Sequence, residues 1–215
     1  MPLMPMSSLS SYLDPLPLIA VLRGITPEEI GGVGTALAGA GFRVLEVPLN
    51  SPRAFESIRM LAATHRAHCL IGAGTVIDVA DVARVREAGG RVIVMPHADA
   101  AVIRAAKAQD MLCVPGVATP TEACAALAAG ADGLKMFPAE GIPPAALKAW
   151  RAVLPRGTLV FAVGGMRPDN LGDYWAAGAS GFGTGSNLYK PGADPAVVAQ
   201  VAAAFAAGIR ALPKR

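Results

Sequence analysis

Residues 69–96 read CLIGAGTVIDVADVARVREAGGRVIVMP, and this stretch holds one complete structural unit. It opens on a short apolar run (69–75), passes through a helical segment (78–89) and closes on a second apolar run (91–96). GluAlaGlyGly (87–90) marks the join to the second run, and glycine there is a usual helix stop. Short, continuous Val/Ile/Leu runs fit strands covered on both faces, as in a parallel sheet. The stretch therefore predicts strand, helix, parallel strand.

Outward from it the same rhythm fills the chain. Apolar runs recur at LIAVLR (18–23), RVLEVPL (43–49), MLCVPG (111–116), GLKMFP (133–138), LVFAVGG (159–165) and GFGTGS (181–186). Helical segments are expected at 27–40, 52–64, 99–109, 119–130, 143–153, 168–177 and 194–210. Caps of the Thr-Pro or Ser-Pro kind open three of them, at 26–29, 51–52 and 119–122. Ala-Gly pairs end others, before Phe42, Asp132 and Ser180. Eight strand–helix units in 215 residues match a compact (β/α)8 TIM barrel, an α/β fold near its lower size limit. An open doubly wound sheet is the alternative, and it usually has fewer units. Residues 16–215 are expected to form the single barrel domain, with residues 1–15 as a loosely held arm.

Composition limits what else the chain can be. It is 53% hydrophobic with only 16% charged residues and a net charge of +3, which excludes disorder. Neither a basic run nor aromatic–basic interleaving occurs, so nucleic acid is not an expected partner. The apolar runs fall well short of the ~20 residues a membrane span needs, and the proline-bearing N-terminus lacks a signal-peptide pattern. A cytoplasmic protein away from the membrane is expected. Cys69, Cys113 and Cys124 form no pair at disulfide-framework or metal-ligand spacing and read as buried, reduced thiols.

Barrel chemistry sits at the C-terminal ends of the strands. Two charges stand inside apolar runs at those ends: Lys135 in GlyLeuLysMetPhePro and Glu46 in ValLeuGluValProLeu. A buried lysine loses pKa and becomes a nucleophile, and a carboxylate in the same mouth can move its protons. A purely structural Lys–Glu pair is the competing reading. Gly164, Gly165, Gly183 and Ser186 follow the seventh and eighth runs, where barrels bind phosphate. Backbone N–H groups and the N-terminus of a short helix would meet the anion there. Arg23, ending the first run, can hold a carboxylate by two parallel bonds, with the Thr75 hydroxyl beside it. Together these describe Schiff-base chemistry on a phosphorylated keto acid. His97 also stands at the reactive mouth, whereas His65 and His68 fall in a polar loop on the far side and are expected to be solvated.

The runs LeuIleAlaValLeuArgGlyIle (18–25), LeuGluValProLeuAsnSerPro (45–52), IleGlyAlaGlyThrVal (71–76), LeuLysMetPhePro (134–138), PheAlaValGlyGly (161–165) and GlyThrGlySerAsnLeuTyr (183–189) carry a family pattern. From about residue 16 to 190 the chain resembles the class I aldolases of 2-keto-3-deoxy-6-phospho sugar acids. The resemblance implies that Lys135 forms the imine and Glu46 shuttles protons. It further implies that Arg23 and Thr75 hold the carboxylate, that the four phosphate-site residues keep that role and that Phe137 walls the lysine pocket. The products would be pyruvate and glyceraldehyde 3-phosphate, the enzyme a homotrimer working without metal or other cofactor. Gluconate-type members usually carry Arg where this chain has Asn50, and Thr where it has Val163. Both departures favour the galactonate epimer, since a Thr hydroxyl can bond a substrate hydroxyl that Val163 cannot. Four alternatives stay open: action on the gluconate epimer, action on both, a phosphate-binding barrel that isomerises without an imine, and an idle sugar-phosphate sensor.

Overall fold

A computed structural model describes residues 8–214. In chain order the elements are β1 (Leu18–Val21), α1 (Pro27–Gly39), β2 (Val44–Pro48), α2 (Ala54–His65), β3 (Leu70–Gly74) and α3 (Val79–Glu87). There follow β4 (Val92–Val94), α4 (Ala100–Ala108), β5 (Leu112–Val114), β6 (Gly116–Val117), α5 (Pro120–Ala128) and β7 (Leu134–Met136). The last are α6 (Pro144–Arg151), β8 (Val160–Val163), α7 (Leu171–Ala176), β9 (Gly181–Thr184) and α8 (Pro195–Arg210). All strand pairs are parallel, in the order β5-β4-β3-β2-β1-β9-β8-β7-β6.

β5 and β6 are halves of one barrel strand, parted at Pro115, which has no N–H to give. The barrel nevertheless closes across it. Met95 N–H donates to Val114 O at 3.1 Å and Lys135 N–H to Pro115 O at 2.8 Å. The register shows the closure too. Partners run from Ile19 through Val44 to Leu70, and from Gly72 through Val92 to Leu112. They continue from Gly116 through Lys135 and Phe161 to Gly181, and then from Gly183 back to Ile19. Steps of two, four and two residues link these runs, the stagger of eight proper to a (β/α)8 barrel. The eight expected strands and eight expected helices are all present, the helices starting and ending within a few residues of their sequence-read limits.

Two cores follow from the strands' alternation. Ile19, Val44, Leu70, Val92, Val94, Leu112, Val114, Phe161 and Val163 fill the barrel interior. The opposite faces pack under the helices with Leu18, Leu45, Ile71, Ile93 and Phe182. Small residues bring the outer layer close: a β-carbon on Gly32 of α1 would stand 2.8 Å from Pro195 Cγ of α8.

The structure corrects four expectations. The supposed loose arm divides: residues 1–7 lie outside the described residues, but Leu9–Tyr12 forms a 3-10 turn. Leu9 (2% exposed) and Leu13 join the interior core and plug the N-terminal end of the barrel, because that end would otherwise expose apolar side chains. His68 is exposed as expected, but His65 is tucked against α1 with its Nε2 buried and unpartnered. Cys69 and Cys113 are buried, whereas Cys124 lies on an outer turn of α5 and is exposed. After β9 no short helix forms; the chain makes one turn, with Leu188 and Tyr189 N–H donating to Gly185 O. Among the described residues no helix is long and apolar enough to cross a membrane.

Candidate active site

Glu46 sits in the middle of β2, register partner of Val21 and Gly72, with its side chain turned into the barrel. It is 1% exposed, and its Oε2 is buried without a hydrogen-bond partner. Gly74, two residues beyond Gly72 on β3, makes the room: a β-carbon there would fall 1.9 Å from that oxygen. Burial pushes the Glu46 carboxyl up to about 7, against the downward pull of Lys135 and Arg23. A carboxyl poised there can both take and return a proton near neutrality.

Lys135 occupies the middle of β7 and is 5% exposed. Its Nζ lies 4.4 Å from the centroid of the Phe137 ring, a cation–π contact. Burial holds the ammonium below its ordinary pKa, and Arg23 adds to the depression while Glu46 opposes it. No ion pair within 4 Å joins Lys135 to Glu46. They influence each other through space, without a direct ion pair at that distance.

Arg23, just beyond β1, lies across the mouth. Its Nη1 donates to Asn50 Oδ1 at 2.7 Å and its Nη2 to Thr75 Oγ1 at 3.3 Å. Thr75 holds φ +54°, a left-handed backbone rare for a β-branched residue and costing on the order of 1–3 kcal/mol. The result is an exposed guanidinium aimed by two neutral partners, with donors to spare for a carboxylate.

The seventh and eighth apolar runs also meet. Gly164 (φ +108°) and Gly165 (φ +68°) bend the chain after β8, where no side chain is easily accommodated. Asn170 Nδ2 donates to Gly165 O and Asn187 Nδ2 to Met166 O, both at 3.0 Å. Those bonds tie the post-β8 loop internally and to the turn after β9. Gly183 belongs to β9 itself, and its missing side chain is the space that Val163 Cγ2 fills, 2.7 Å from an ideal β-carbon. Val163 is thereby part of the barrel core, whereas Gly185 and Ser186 stand further out at the mouth. Glu140, in the loop after β7, leaves its carboxylate beside Gly165. His97 is exposed after β4, its carbonyl accepting from Gly116 N–H.

Thus Arg23, Glu46, Thr75, Lys135, Phe137, Gly164, Gly165 and Ser186 all stand at or open toward one end of the barrel. Gly183 and Val163 lie in its wall. Sequence reading did not single out Gly74 as the residue that admits the carboxylate, nor Asn187 as the tie between the glycine loops. The first had a signal: glycines 72 and 74 alternate on the inward face of the strand beside Glu46. The arrangement offers a depressed amine, an elevated carboxyl, an exposed guanidinium and a glycine-lined edge within one mouth. It suits imine formation with a carbonyl compound and proton transfer at its neighbouring carbons. Among the described residues no group of three or more His, Cys, Asp or Glu side chains could hold a metal ion.

Comparison with known proteins points to aldolases. A family model described as KDPG and KHG aldolase matches residues 9–202. The chain is 50% identical over 196 residues to a probable 2-dehydro-3-deoxy-6-phosphogalactonate aldolase of Rhizobium meliloti, covering 91% of this chain and 92% of that protein. It is 46% identical over 195 residues to the 2-dehydro-3-deoxy-6-phosphogalactonate aldolase of Escherichia coli, covering 91% and 95%. A solved structure described as native KDPGal superposes with a TM-score of 0.90 at 45% identity, over 93% of this chain and 97% of that one.

Proposed function

The chain belongs to the KDPG and KHG aldolase family, and we propose that it cleaves 2-dehydro-3-deoxy-6-phosphogalactonate to pyruvate and glyceraldehyde 3-phosphate. The observation that carries the chemistry is the buried, unpaired couple of Lys135 and Glu46 at the reactive end of the barrel. The Lys135 amine adds to the C2 carbonyl and loses water to give a protonated imine. Glu46 takes the C4 hydroxyl proton, directly or through water. The C3–C4 bond then breaks, its electron pair passing to the imine as an enamine, and the aldehyde departs. Protonation of the enamine carbon by Glu46 and hydrolysis of the imine release pyruvate and restore the amine.

Arg23 and Thr75 hold the substrate carboxylate, with Asn50 steering the guanidinium. Gly164, Gly165 and Ser186 line the phosphate end, with Gly183 in the wall behind. Val163 supplies no hydroxyl that could bond differently to the two epimers. Catalysis by Lys135 calls for no metal or other cofactor, and a cytoplasmic homotrimer is the expected working form. The family description favours a second reading, cleavage of the gluconate epimer or of both. Pyruvate release assayed side by side on the two 6-phospho acids tests the assignment. Preference for galactonate supports it, equal rates overturn the epimer, and no release from either overturns the aldolase.

A further inference from the structure

The barrel has a seam where its first and last units meet: β1 pairs with β9, and α1 packs on α8. Across that seam one side chain joins two loops at the reactive end. Glu29, in the first turn of α1, accepts from the Tyr189 hydroxyl at 3.1 Å and from the Gly192 N–H with the same oxygen. Its other oxygen accepts from Thr26 N–H at 2.9 Å. Tyr189 is itself buried and ends the turn that starts at Gly185. A few residues away, Gly24 lies so close to Pro191 that a β-carbon would meet Pro191 Cγ at 2.8 Å.

The two loops so joined hold opposite ends of the substrate in the reading given above. The β1–α1 loop carries Arg23, the carboxylate anchor. The β9–α8 loop carries Gly185 and Ser186, at the phosphate end. We propose that Glu29 is a positioning residue which, by gripping Tyr189 and Gly192, fixes the span between the carboxylate anchor and the phosphate cradle. This rests on the aldolase reading, because only a substrate charged at both ends feels that span. The cradle is tied on its other side by Asn187 to Met166 O, and Arg23 by Asn50 and Thr75, so loss of Glu29 leaves the bonds that hold each end while releasing the tie between them along with the α1 cap.

That makes a distinctive signature. Substrate KM depends on both ends at once, whereas inorganic phosphate and pyruvate each use one. For Glu29→Ala we expect substrate KM to rise roughly five- to tenfold, against the ~10²-fold cost of an ångström-scale misplacement of reacting groups. Glu29→Gln and Tyr189→Phe, which keep part of the grip, should give smaller rises. The inhibition constant of inorganic phosphate, borohydride trapping of pyruvate and kcat should each stay within about twofold of the parent. Glu122→Gln is the control: Glu122 accepts from the Ala118 and Thr119 N–H groups at the start of α5 but crosses no seam. Its melting temperature should fall without a change in substrate KM. Unchanged substrate KM in folded Glu29 and Tyr189 variants overturns the clamp while leaving the aldolase standing. So does a parallel weakening of substrate, phosphate and pyruvate, which marks general loosening. A parent enzyme releasing no pyruvate from either epimer overturns the aldolase reading, and the clamp with it.

Discussion

Gly74 and Glu46 compete for one volume. A β-carbon at position 74 would lie 1.9 Å from Glu46 Oε2 and 2.4 Å from its carboxyl carbon. The absent side chain of Gly74 leaves room for a carboxylate inside a barrel packed largely with Val, Leu, Ile and Phe. The unpartnered, desolvated state of that carboxylate raises its proton affinity, so the glycine on one strand helps set the acidity of a residue on the next.

Gly74→Ala is accordingly expected to displace the Glu46 carboxylate and lower kcat by about 10²-fold or more, the range assigned to a lost general acid–base group. Trapping of pyruvate on Lys135 should survive, since the amine is untouched. A normal kcat in the variant would sink the idea that this space is needed.

Glu46 should dominate the acid limb of the rate profile. With its pKa at about 7, it is mostly protonated below that pH and cannot take the C4 hydroxyl proton, so kcat/KM should climb through pH 7 and level above it. Glu46→Gln should abolish that limb. Stability shifts the other way. The folded value is raised above the ordinary 4.5, so its contribution is full below pH 4.5 and is lost as pH rises through 7. Over that window the parent should lose about 3 kcal/mol that Glu46→Gln does not, read from denaturant titrations at several pH values.

Borohydride added with pyruvate should fix one three-carbon unit on the chain, and peptide mass mapping should find it on Lys135. Lys135→Ala should take up no label and lose on the order of 10⁴-fold or more in kcat. Label on another lysine, or turnover by the variant, would contradict the assignment.

Arg23 variants should separate binding from chemistry. Arg23→Lys loses the forked donor set and should raise KM about tenfold or more, the loss of a charge-assisted bond being worth ~1.5–3 kcal/mol. Asn50→Ala leaves the charge but removes the 2.7 Å bond that aims it, and should have a smaller effect in the same direction. Steady-state kinetics in which kcat, and not KM, falls would argue against a carboxylate-holding role.

Much of this architecture was legible in the chain itself. Lys135 and Glu46 stood out because a charge within a strand-length apolar run has few innocent explanations. The helix limits followed from Thr-Pro starts and Ala-Gly stops, which are local chemistry. What stayed hidden depends on register. Whether Gly183 lines a ligand or accommodates Val163 is decided by which strand face it occupies and what lies opposite. The packing of Leu9 and Leu13 was missed because three prolines and several serines dilute the apolar signal there. Their burial depends on a barrel end that exists only after closure. Asn187 and Glu29 act between loops about 20 and 160 residues apart, a distance that no local pattern reports.

Leu9 and Leu13 cap the N-terminal end of a barrel whose interior is already packed with Ile19, Val44, Leu70 and Phe161. On the proposed reading, substrate and both products therefore share the opposite opening, bordered by Arg23 and Ser186.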